Sequence, residues 1–167
     1  MEDALIRLFR DLGCDYFYEY DQAYGFIKFD GKTVVHVGAD CGSSIIYFLL
    51  RGAKRVIAYE KDQDLCKKYF DNFHKYIKDR VEYKCKQWEG ELDFGDIFII
   101  DCEGCEDLIT DDLLMRIDAS YKTKFIAVHD WASKRDWLTK RLLELGYTKV
   151  YESPDHWEKA YFKTTSK

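Results

Sequence analysis

Acidic side chains and a histidine recur at the ends of apolar runs that have the character of β-strands. Glu60 ends one such run, Asp101 ends another, and His129 with Asp130 ends a third. Ligands of an open α/β sheet bind beyond the carboxyl ends of its strands. Carboxylates and an imidazole gathered there can attract a cation, and each can accept a proton from a reacting group. The pattern therefore predicts a site for cation binding or proton transfer at one edge of a sheet.

A glycine-containing loop covers residues 37–42, after the first strand of the predicted sheet. Gly38 and Gly42 let the backbone approach a ligand closely, and Ser43 begins a helix whose free N–H groups favour an anion. A dinucleotide-binding fold has a glycine where this chain has Asp40, because the pyrophosphate lies close to that position. A carboxylate there repels a diphosphate but attracts the sulfonium and ammonium groups of S-adenosylmethionine. The loop therefore favours S-adenosylmethionine over a dinucleotide as the cofactor.

The other strand ends supply groups that suit a nucleoside. Glu60 ends the second strand, where a carboxylate can accept hydrogen bonds from both hydroxyls of a ribose. After the third strand, Gln87 could hydrogen-bond to an adenine and Trp88 could stack on it. We expect the cofactor-binding residues to be His36, Gly38, Asp40, Gly42, Ser43, Glu60, Gln87, Trp88 and Asp101.

Strands and helices alternate along the chain in an order that would bring these groups together. Apolar runs predict seven strands, at residues 33–37, 55–59, 81–85, 96–100, 125–128, 147–151 and 159–162. Helical periodicity predicts helices at residues 43–51, 62–76, 111–118 and 134–145. Crossover helices join parallel strands and cover the sheet, whereas the last two strands have no helix between them and form a hairpin. The predicted fold class is therefore α/β, with a Rossmann-like, seven-stranded, mostly parallel sheet and a C-terminal antiparallel hairpin.

The chain before this core is expected to be a short extension of one domain that spans residues 1–167. The extension covers residues 1–32 and the core residues 33–167. Apolar residues at helical spacing before Gly13 predict a first helix, and they are Leu5, Leu8, Phe9 and Leu12. Residues 26–29 have the pattern of a short strand. The aromatic and acidic stretch at 16–24 is expected to pack against the core rather than to contact a substrate.

The charge pattern bears on partners and location. The net charge is −5 with acids and bases interspersed, so there is no basic stripe to follow a phosphate backbone, and nucleic acid is not an expected partner. No stretch approaches about eighteen consecutive apolar residues, and the beginning of the chain lacks a basic segment followed by an apolar run. We therefore expect an intracellular, cytoplasmic protein without membrane contact. Whether it forms a homo-oligomer stays open.

The balance of amides and charges resembles that of hyperthermophile proteins, with one asparagine, three glutamines and 34% charged residues. The six cysteines show no framework spacing, and no second pair accompanies the CxxC of Cys102 and Cys105. Most cysteines are therefore expected to be buried apolar residues, and the CxxC to be structural. In a hyperthermophile, a disulfide bond among them would still be consistent with an intracellular protein.

Three segments together resemble the FkbM-type S-adenosylmethionine-dependent methyltransferases, within residues 33–147. They are VVHVGADCG at 34–42, VIAYE at 56–60 and DCEGCE at 101–106, of which the last is the most specific. The resemblance implies the methyltransferase variant of the Rossmann-like fold and O-methylation of a hydroxyl on a small molecule or sugar. It also implies a methionine-binding loop, a ribose-binding acid and an acid facing the reactive methyl group, at Gly38, Asp40 and Gly42, at Glu60, and at Asp101.

One position departs from that family, whose first strand normally carries an acid where this chain has His36. A neutral imidazole can still accept a hydrogen bond from the cofactor, whereas a protonated one would repel its positive charge. This departure, with the lack of a large insertion to form a lid, motivates an alternative: a catalytically silent protein that binds or acts as a scaffold. A third hypothesis is an RNA methyltransferase, but the chain lacks a basic face and an Asn-Pro-Pro-Tyr motif.

Methylation of a hydroxyl requires removal of its proton, and the candidates for this catalytic role are Asp101, Glu103, His129 and Asp130. His129 is the first choice because its ordinary pKa lies near neutrality. Glu106 is expected instead to complement a helix dipole. Asp101, His129 and Asp130 also resemble the layout of metal-dependent O-methyltransferases, a further alternative, but no third carboxylate completes a magnesium site. A divalent metal is therefore not favoured, and no metal ligand is predicted.

Overall fold

A computed structural model describes residues 2–165, without the side chains of Glu2, Asp3 and Leu5. The predicted inward position of the Leu5 side chain thus lies outside the described residues. Seven strands form the sheet: β1 Thr33–Val37, β2 Arg55–Tyr59, β3 Val81–Lys84, β4 Ile97–Ile100, β5 Thr123–His129, β6 Thr148–Glu152 and β7 Glu158–Thr164. Their order is β3-β2-β1-β4-β5-β7-β6, with β1 to β5 parallel and β7 antiparallel to both neighbours. This confirms the predicted Rossmann-like α/β fold and its C-terminal antiparallel hairpin.

Seven helices accompany the sheet in the described part of the chain: α1 Glu2–Asp11, α2 Phe17–Tyr24, α3 Ser43–Leu50, α4 Gln63–Asn72, α5 His74–Ile77, α6 Asp111–Ser120 and α7 Arg135–Glu144. The helix predicted at 62–76 is divided at Phe73, which has a non-helical φ of −123°. Side-chain caps fix two helix starts, because Asp62 accepts from the backbone N–H groups at the start of α4, and Thr110 does so for α6. Within residues 2–165, no helix combines the length and apolar character needed to cross a membrane.

Apolar side chains cover both faces of the sheet. Phe9, Tyr24 and Phe48 belong to the buried cluster on one face, whereas Phe98 and Leu138 belong to the cluster on the other. All four residues of β4 are buried, as expected for a central parallel strand covered on both sides. The sheet is therefore a rigid platform, and its strand ends are held at fixed positions.

The strand order reverses between β1 and β4, which both pair with parallel neighbours. The loops that follow the two strands at such a reversal lead to opposite faces of the sheet and leave a crevice between them. Ligands of this fold class bind in that crevice. The backbones approach closely here, since a Cβ atom on Gly38 would lie 1.7 Å from the carbonyl oxygen of Asp101. Gly38 also has a φ of +94°, so only glycine fits this position. The reversal thus places the glycine loop directly beside Asp101.

The N-terminal extension differs from its prediction. Residues 26–29 form no strand, and the aromatic stretch before them forms α2. Ile27 and Phe29 are buried and Phe26 is exposed, a local alternation that resembles a strand. The described sheet ends at β3 and β6, however, and neither edge pairs with this segment. The segment packs by its side chains instead, as Phe26 does edge-on against Phe162 with ring centroids 4.9 Å apart.

The six cysteines are all paired, which corrects the expectation that most are unpaired apolar residues. The disulfide bonds join Cys14 to Cys41, Cys66 to Cys85 and Cys102 to Cys105. The first two pairs are 27 and 19 residues apart in sequence. Linear spacing could not reveal them because tertiary structure decides which loops approach within bonding distance.

Candidate functional site

A cavity of about 720 Å³ opens at the carboxyl ends of the central strands. We distinguish two ends by the elements that build them. The β1–β2 end is lined by His36, Gly38, Asp40, Ser44, Glu60, Lys61 and Asp62. The β4–β7 end is lined by Asp101, Glu103, His129, Tyr151, Trp157 and Glu158, with Glu19, Tyr20 and Tyr24 contributed by α2. Strand ends predicted from sequence to lie together therefore do share one cavity.

Backbone N–H groups organise the β1–β2 end. Glu60 accepts a hydrogen bond from the N–H of Asp40 at 2.9 Å and from that of Asp62 at 2.8 Å, one on each carboxylate oxygen. Each oxygen of an ionised carboxylate has a second lone pair, so Glu60 can accept further donors. Burial raises the pKa of both Asp40 and Glu60. The result is a preformed pair of carboxylates that suits hydroxyl or ammonium donors.

His36 is 1% exposed and lines the same end of the cavity. Neither of its ring nitrogens has a hydrogen-bond partner among the described residues. Its ring packs edge-on against Phe48, with centroids 5.2 Å apart. Burial lowers the pKa of His36 to about 4, so the ring is neutral near neutral pH. The departure from an acid therefore leaves an uncharged ring, whose nitrogens are buried close to the backbone of Ile99 and Gly38.

A buried acid orients the histidine of the β4–β7 end. Glu106, with no exposed surface, lies in the 3₁₀ turn Cys105–Leu108. Its carboxylate accepts from Nδ1 of His129, from the backbone N–H of His129 at 3.2 Å and from that of Gly104 at 2.5 Å. With Nδ1 donating, Nε2 of His129 carries the free lone pair. Glu106 lies in the first turn of this 3₁₀ helix and accepts from its N-cap residue, as expected of an acid at a helix start, but its contact with His129 was not predicted.

The charge state of His129 follows from these neighbours. Burial alone would lower the pKa of His129, but the hydrogen bond to Glu106 and the charge of Asp101 outweigh it and raise the pKa above its ordinary value. Nε2 of His129 lies 3.8 Å from Oδ1 of Asp101, beyond hydrogen-bond distance. The hydroxyl of Tyr24 donates to Oδ2 of Asp101 at 2.5 Å and holds that carboxylate in place. His129 thus has one nitrogen fixed and the other free.

Glu158 completes this end and was not predicted from sequence. It is paired across the β5–β7 ladder with His129. Ligand atoms of Asp101, His129 and Glu158 lie within 4.8 Å of one another, so this trio could hold a divalent ion. Burial, and then the charge of Asp101, raise the pKa of Glu158 to about 8. Only the position of β7 beside β5, which local pattern does not encode, could have identified this residue.

Several predicted site residues lie elsewhere or are occupied. Asp130 does not line the cavity, is half exposed, and has Lys159 as its charged neighbour at 4.0 Å. Ser43 is buried, and its hydroxyl is hydrogen-bonded to that of Tyr20 at 2.8 Å. Gly42 has a φ of +89°, and a Cβ there would meet Tyr69 at 2.5 Å. These residues shape the loop and its surroundings rather than offer free polar groups.

Trp88 is 2% exposed, packs beside Phe98, and donates its indole N–H to the carbonyl of Glu91 at 2.8 Å. With Gln87 and Glu60 it borders a second, small cavity of about 30 Å³. Stacking of Trp88 on an adenine stays a prediction, and its burial leaves little ring face for it. The other described metal-like group, Cys102, Cys105 and Glu106, has its two sulfurs joined in a disulfide bond.

The fold is shared with solved structures of methyltransferases. The chain superimposes on magnesium protoporphyrin IX methyltransferase from Synechocystis PCC 6803 with bound S-adenosylmethionine, at a TM-score of 0.60 and 13% identity, covering 96% of this chain and 82% of that one. It also superimposes on TrmK of M. capricolum with S-adenosylhomocysteine, at a TM-score of 0.64 and 15% identity, covering 90% of this chain and 69% of that one. A third match is ribosomal protein L11 methylase from Lactobacillus delbrueckii subsp. bulgaricus, at a TM-score of 0.62 and 15% identity, covering 90% of this chain and 78% of that one. The fold is that of the class I S-adenosylmethionine-dependent methyltransferases.

Sequence relatives give a narrower placement. The chain is 42% identical over 164 residues to uncharacterized protein 65 of Sulfolobus islandicus filamentous virus (isolate Iceland/Hveragerdi), covering 97% of this chain and 99% of the relative. It is 38% identical over 136 residues to uncharacterized protein 158B of Sulfolobus islandicus rod-shaped virus 1, covering 80% of this chain and 84% of that relative. The chain belongs to the family of these two viral proteins. No family model matches the sequence.

Proposed function

We propose that the protein transfers a methyl group from S-adenosylmethionine to a hydroxyl of a small molecule or sugar, with His129 as the general base. One observation carries the proposal: Glu106 holds Nδ1 of His129, so that Nε2 is the free nitrogen beside Asp101 in the cavity. The arrangement is similar to that of catalytic histidines, in which a buried acid fixes the orientation of the ring and stabilises its protonated form.

The β1–β2 end fits the cofactor on its own geometry. Gly38 leaves room for a ligand at the strand reversal, and Asp40, Glu60 and neutral His36 offer acceptors to ammonium and hydroxyl donors. We assign the methionine end to His36, Gly38 and Asp40 and the ribose to Glu60. When bound, S-adenosylmethionine supplies an electrophilic methyl group on a sulfonium. Two of the superimposed methyltransferases hold this cofactor or its demethylated product, which supports the assignment.

The chain's own chemistry at the β4–β7 end is proton removal. Nε2 of His129 takes the proton of the acceptor hydroxyl, and Glu106 stabilises the imidazolium that forms. Asp101, fixed by Tyr24, lies beside Nε2 and favours the same charge. A cavity of about 720 Å³ falls in the range that encloses small molecules. The DCEGCE string at 101–106 further supports the FkbM-type subclass, which is part of this proposal.

Calorimetric titration with S-adenosylmethionine and S-adenosylhomocysteine tests the cofactor assignment. We expect Glu60→Gln to weaken binding by at least about tenfold, because a hydrogen bond to a charged group is lost. The matched control is Asp136→Asn, which makes the same change of charge on an exposed side chain of α7. Absence of binding to the wild-type protein would contradict the proposal. Binding without transfer to any hydroxyl acceptor would favour the silent binding protein.

A further inference from the structure

The β4–β7 end gathers four acidic side chains. Asp101, Glu19 and Glu103 lie close enough for their charges to act on Glu158, and all four line the cavity. The only lysine or arginine among the described lining residues is Lys61, which follows Glu60 at the opposite end. Neighbouring carboxylates repel one another, and among the described lining residues of this end His129 is the one side chain that can carry a positive charge. With one histidine beside four acids, the cluster can accept a further cation.

The cofactor does not supply that cation. S-adenosylmethionine carries a sulfonium, an ammonium and a carboxylate, a net charge of about one positive unit near neutral pH. The β1–β2 end alone contributes Asp40, Glu60 and Asp62 to the cavity wall. Those acids already exceed what the cofactor can neutralise. The acidic side chains at the β4–β7 end therefore remain for a second cation, whose binding favours their ionised forms.

Aromatic rings face the same space. Trp157 and Tyr151 line the cavity beside Glu158. Trp157 stacks on Trp131 with centroids 5.0 Å apart, and Trp131 stacks on His129 at 4.8 Å. The faces of aromatic rings carry negative electrostatic potential and attract ammonium groups. A wall of rings beside carboxylates is suited to a cation that also has apolar surface.

The free ring nitrogen of His129, which lines the cavity, points to a ligand independently of the acids. His129 is 1% exposed, yet its Nε2 has no hydrogen-bond partner among the described residues, and its nearest acid oxygen is 3.8 Å away. A hydroxyl group of a ligand can donate its hydrogen to Nε2 and supply the partner that this nitrogen lacks. The end thus offers an acceptor for a hydroxyl and, a few ångströms away, carboxylates for a cation.

We propose that the acceptor is a hydroxyl compound that carries an ammonium group, with its hydroxyl at Nε2 of His129 and its ammonium between Glu158 and Glu19, flanked by Trp157 and Tyr151. This rests on the proposed function, whose acceptor class it specifies. Carboxylate or phosphate-bearing acceptors are repelled by the same acids, and neutral ones gain nothing from them. The charge of the acceptor is therefore the specificity determinant of the site.

Three phenols that differ in charge test the proposal: tyramine, 4-ethylphenol and 4-hydroxyphenylacetate. Each is titrated into the protein saturated with S-adenosylhomocysteine, so that the β1–β2 end is filled and carries no sulfonium. We expect tyramine to bind at least about tenfold more tightly than 4-ethylphenol, as ion pairing and ring contacts to an ammonium would give. The carboxylate compound should bind most weakly.

Single substitutions then test which side chains cause the preference for the ammonium compound. Glu158→Gln and Glu19→Gln should each reduce the ratio of tyramine to 4-ethylphenol affinity, whereas Asp136→Asn should leave it unchanged. Glu19 lies on α2 and takes no part in the sheet, so its variant keeps the test usable if Glu158→Gln destabilises the β5–β7 ladder. Unchanged ratios in both variants would overturn the proposal.

The outcomes separate this proposal from the proposed function. If S-adenosylhomocysteine binds but 4-ethylphenol binds as tightly as tyramine, or none of the three binds, the charged-acceptor proposal fails while the cofactor assignment stands. Failure of S-adenosylhomocysteine to bind would remove both. Saturable Mn²⁺ binding that displaces tyramine and is lost in Glu158→Gln would assign Asp101, His129 and Glu158 to a metal and overturn the proposal.

Discussion

The two ends of the cavity are built in different ways. At the β1–β2 end, Glu60 holds the backbone N–H groups of Asp40 and Asp62, and most contacts join short loops that follow adjacent strands. At the β4–β7 end, side chains from separate parts of the fold meet: Tyr24 of α2, Asp101 directly after β4, His129 of β5 and Glu158 of β7. The first end is a backbone cradle, and the second is an assembly of side chains whose charges depend on one another.

This difference indicates at which end of the cavity side chains can vary between related proteins. In the proposed function the cofactor is the constant ligand, and a cradle made of backbone and a few acids suits such a ligand. Acceptors differ between superimposed proteins, one named for a ribosomal protein and another for a porphyrin. Side chains on separate elements can change without disturbing the sheet. The predictions below therefore change one end and measure both.

The largest effect is expected from His129→Gln. We expect methyl transfer to tyramine to fall by about 10²- to 10⁴-fold, the usual contribution of a general base. Affinity for S-adenosylmethionine should stay unchanged, because His129 belongs to the β4–β7 end. Steady-state kinetics and calorimetry on the same preparation measure the two quantities. A matching loss of cofactor affinity would show that the ends are not separate.

A smaller loss, of about 10- to 100-fold, is expected from Glu106→Gln, because the amide can still accept from Nδ1 but the hydrogen bond to a charged group, of about 1.5 to 3 kcal/mol, is lost. Since Glu106 raises the pKa of His129, the wild-type rate should increase with pH as His129 loses its proton. Removing the negative charge lowers that pKa, so the rising limb should move to lower pH. Glu106→Asp should restore part of the rate. If Glu106→Gln lowered the rate but left the rising part of the pH–rate profile at the same pH, Glu106 would have a purely structural role.

The smallest effect is expected at His36. His36→Phe keeps the ring that packs against Phe48 but removes both nitrogens, and we expect S-adenosylmethionine affinity to fall by about three- to tenfold, the loss of one hydrogen bond. Because the pKa of His36 is about 4, its charge should not alter wild-type affinity between neutral pH and about pH 5. A drop in affinity near pH 6 that His36→Phe abolishes would show instead that the ring is protonated there.

Local pattern predicted most of the fold and one end of the site. The strands from Thr33 onward lie within a few residues of their predicted bounds, since apolar runs separated by amphipathic helices are a local signal. The loop with Gly38 and Asp40 and the acid Glu60 were identified for the same reason, because each follows a strand directly. The prediction failed at 26–29, where alternation without a free sheet edge gave no strand.

What the sequence alone determined is therefore the alternation of strands and helices, the glycine loop and the acids at the strand ends. Tertiary structure decided what those groups do. It buried Glu106 against His129, placed Glu158 beside Asp101, and joined distant cysteines such as Cys66 and Cys85. The physical reason is that periodicity reports which face of an element is buried, whereas ion pairs and perturbed pKa values depend on distances between elements far apart in the chain.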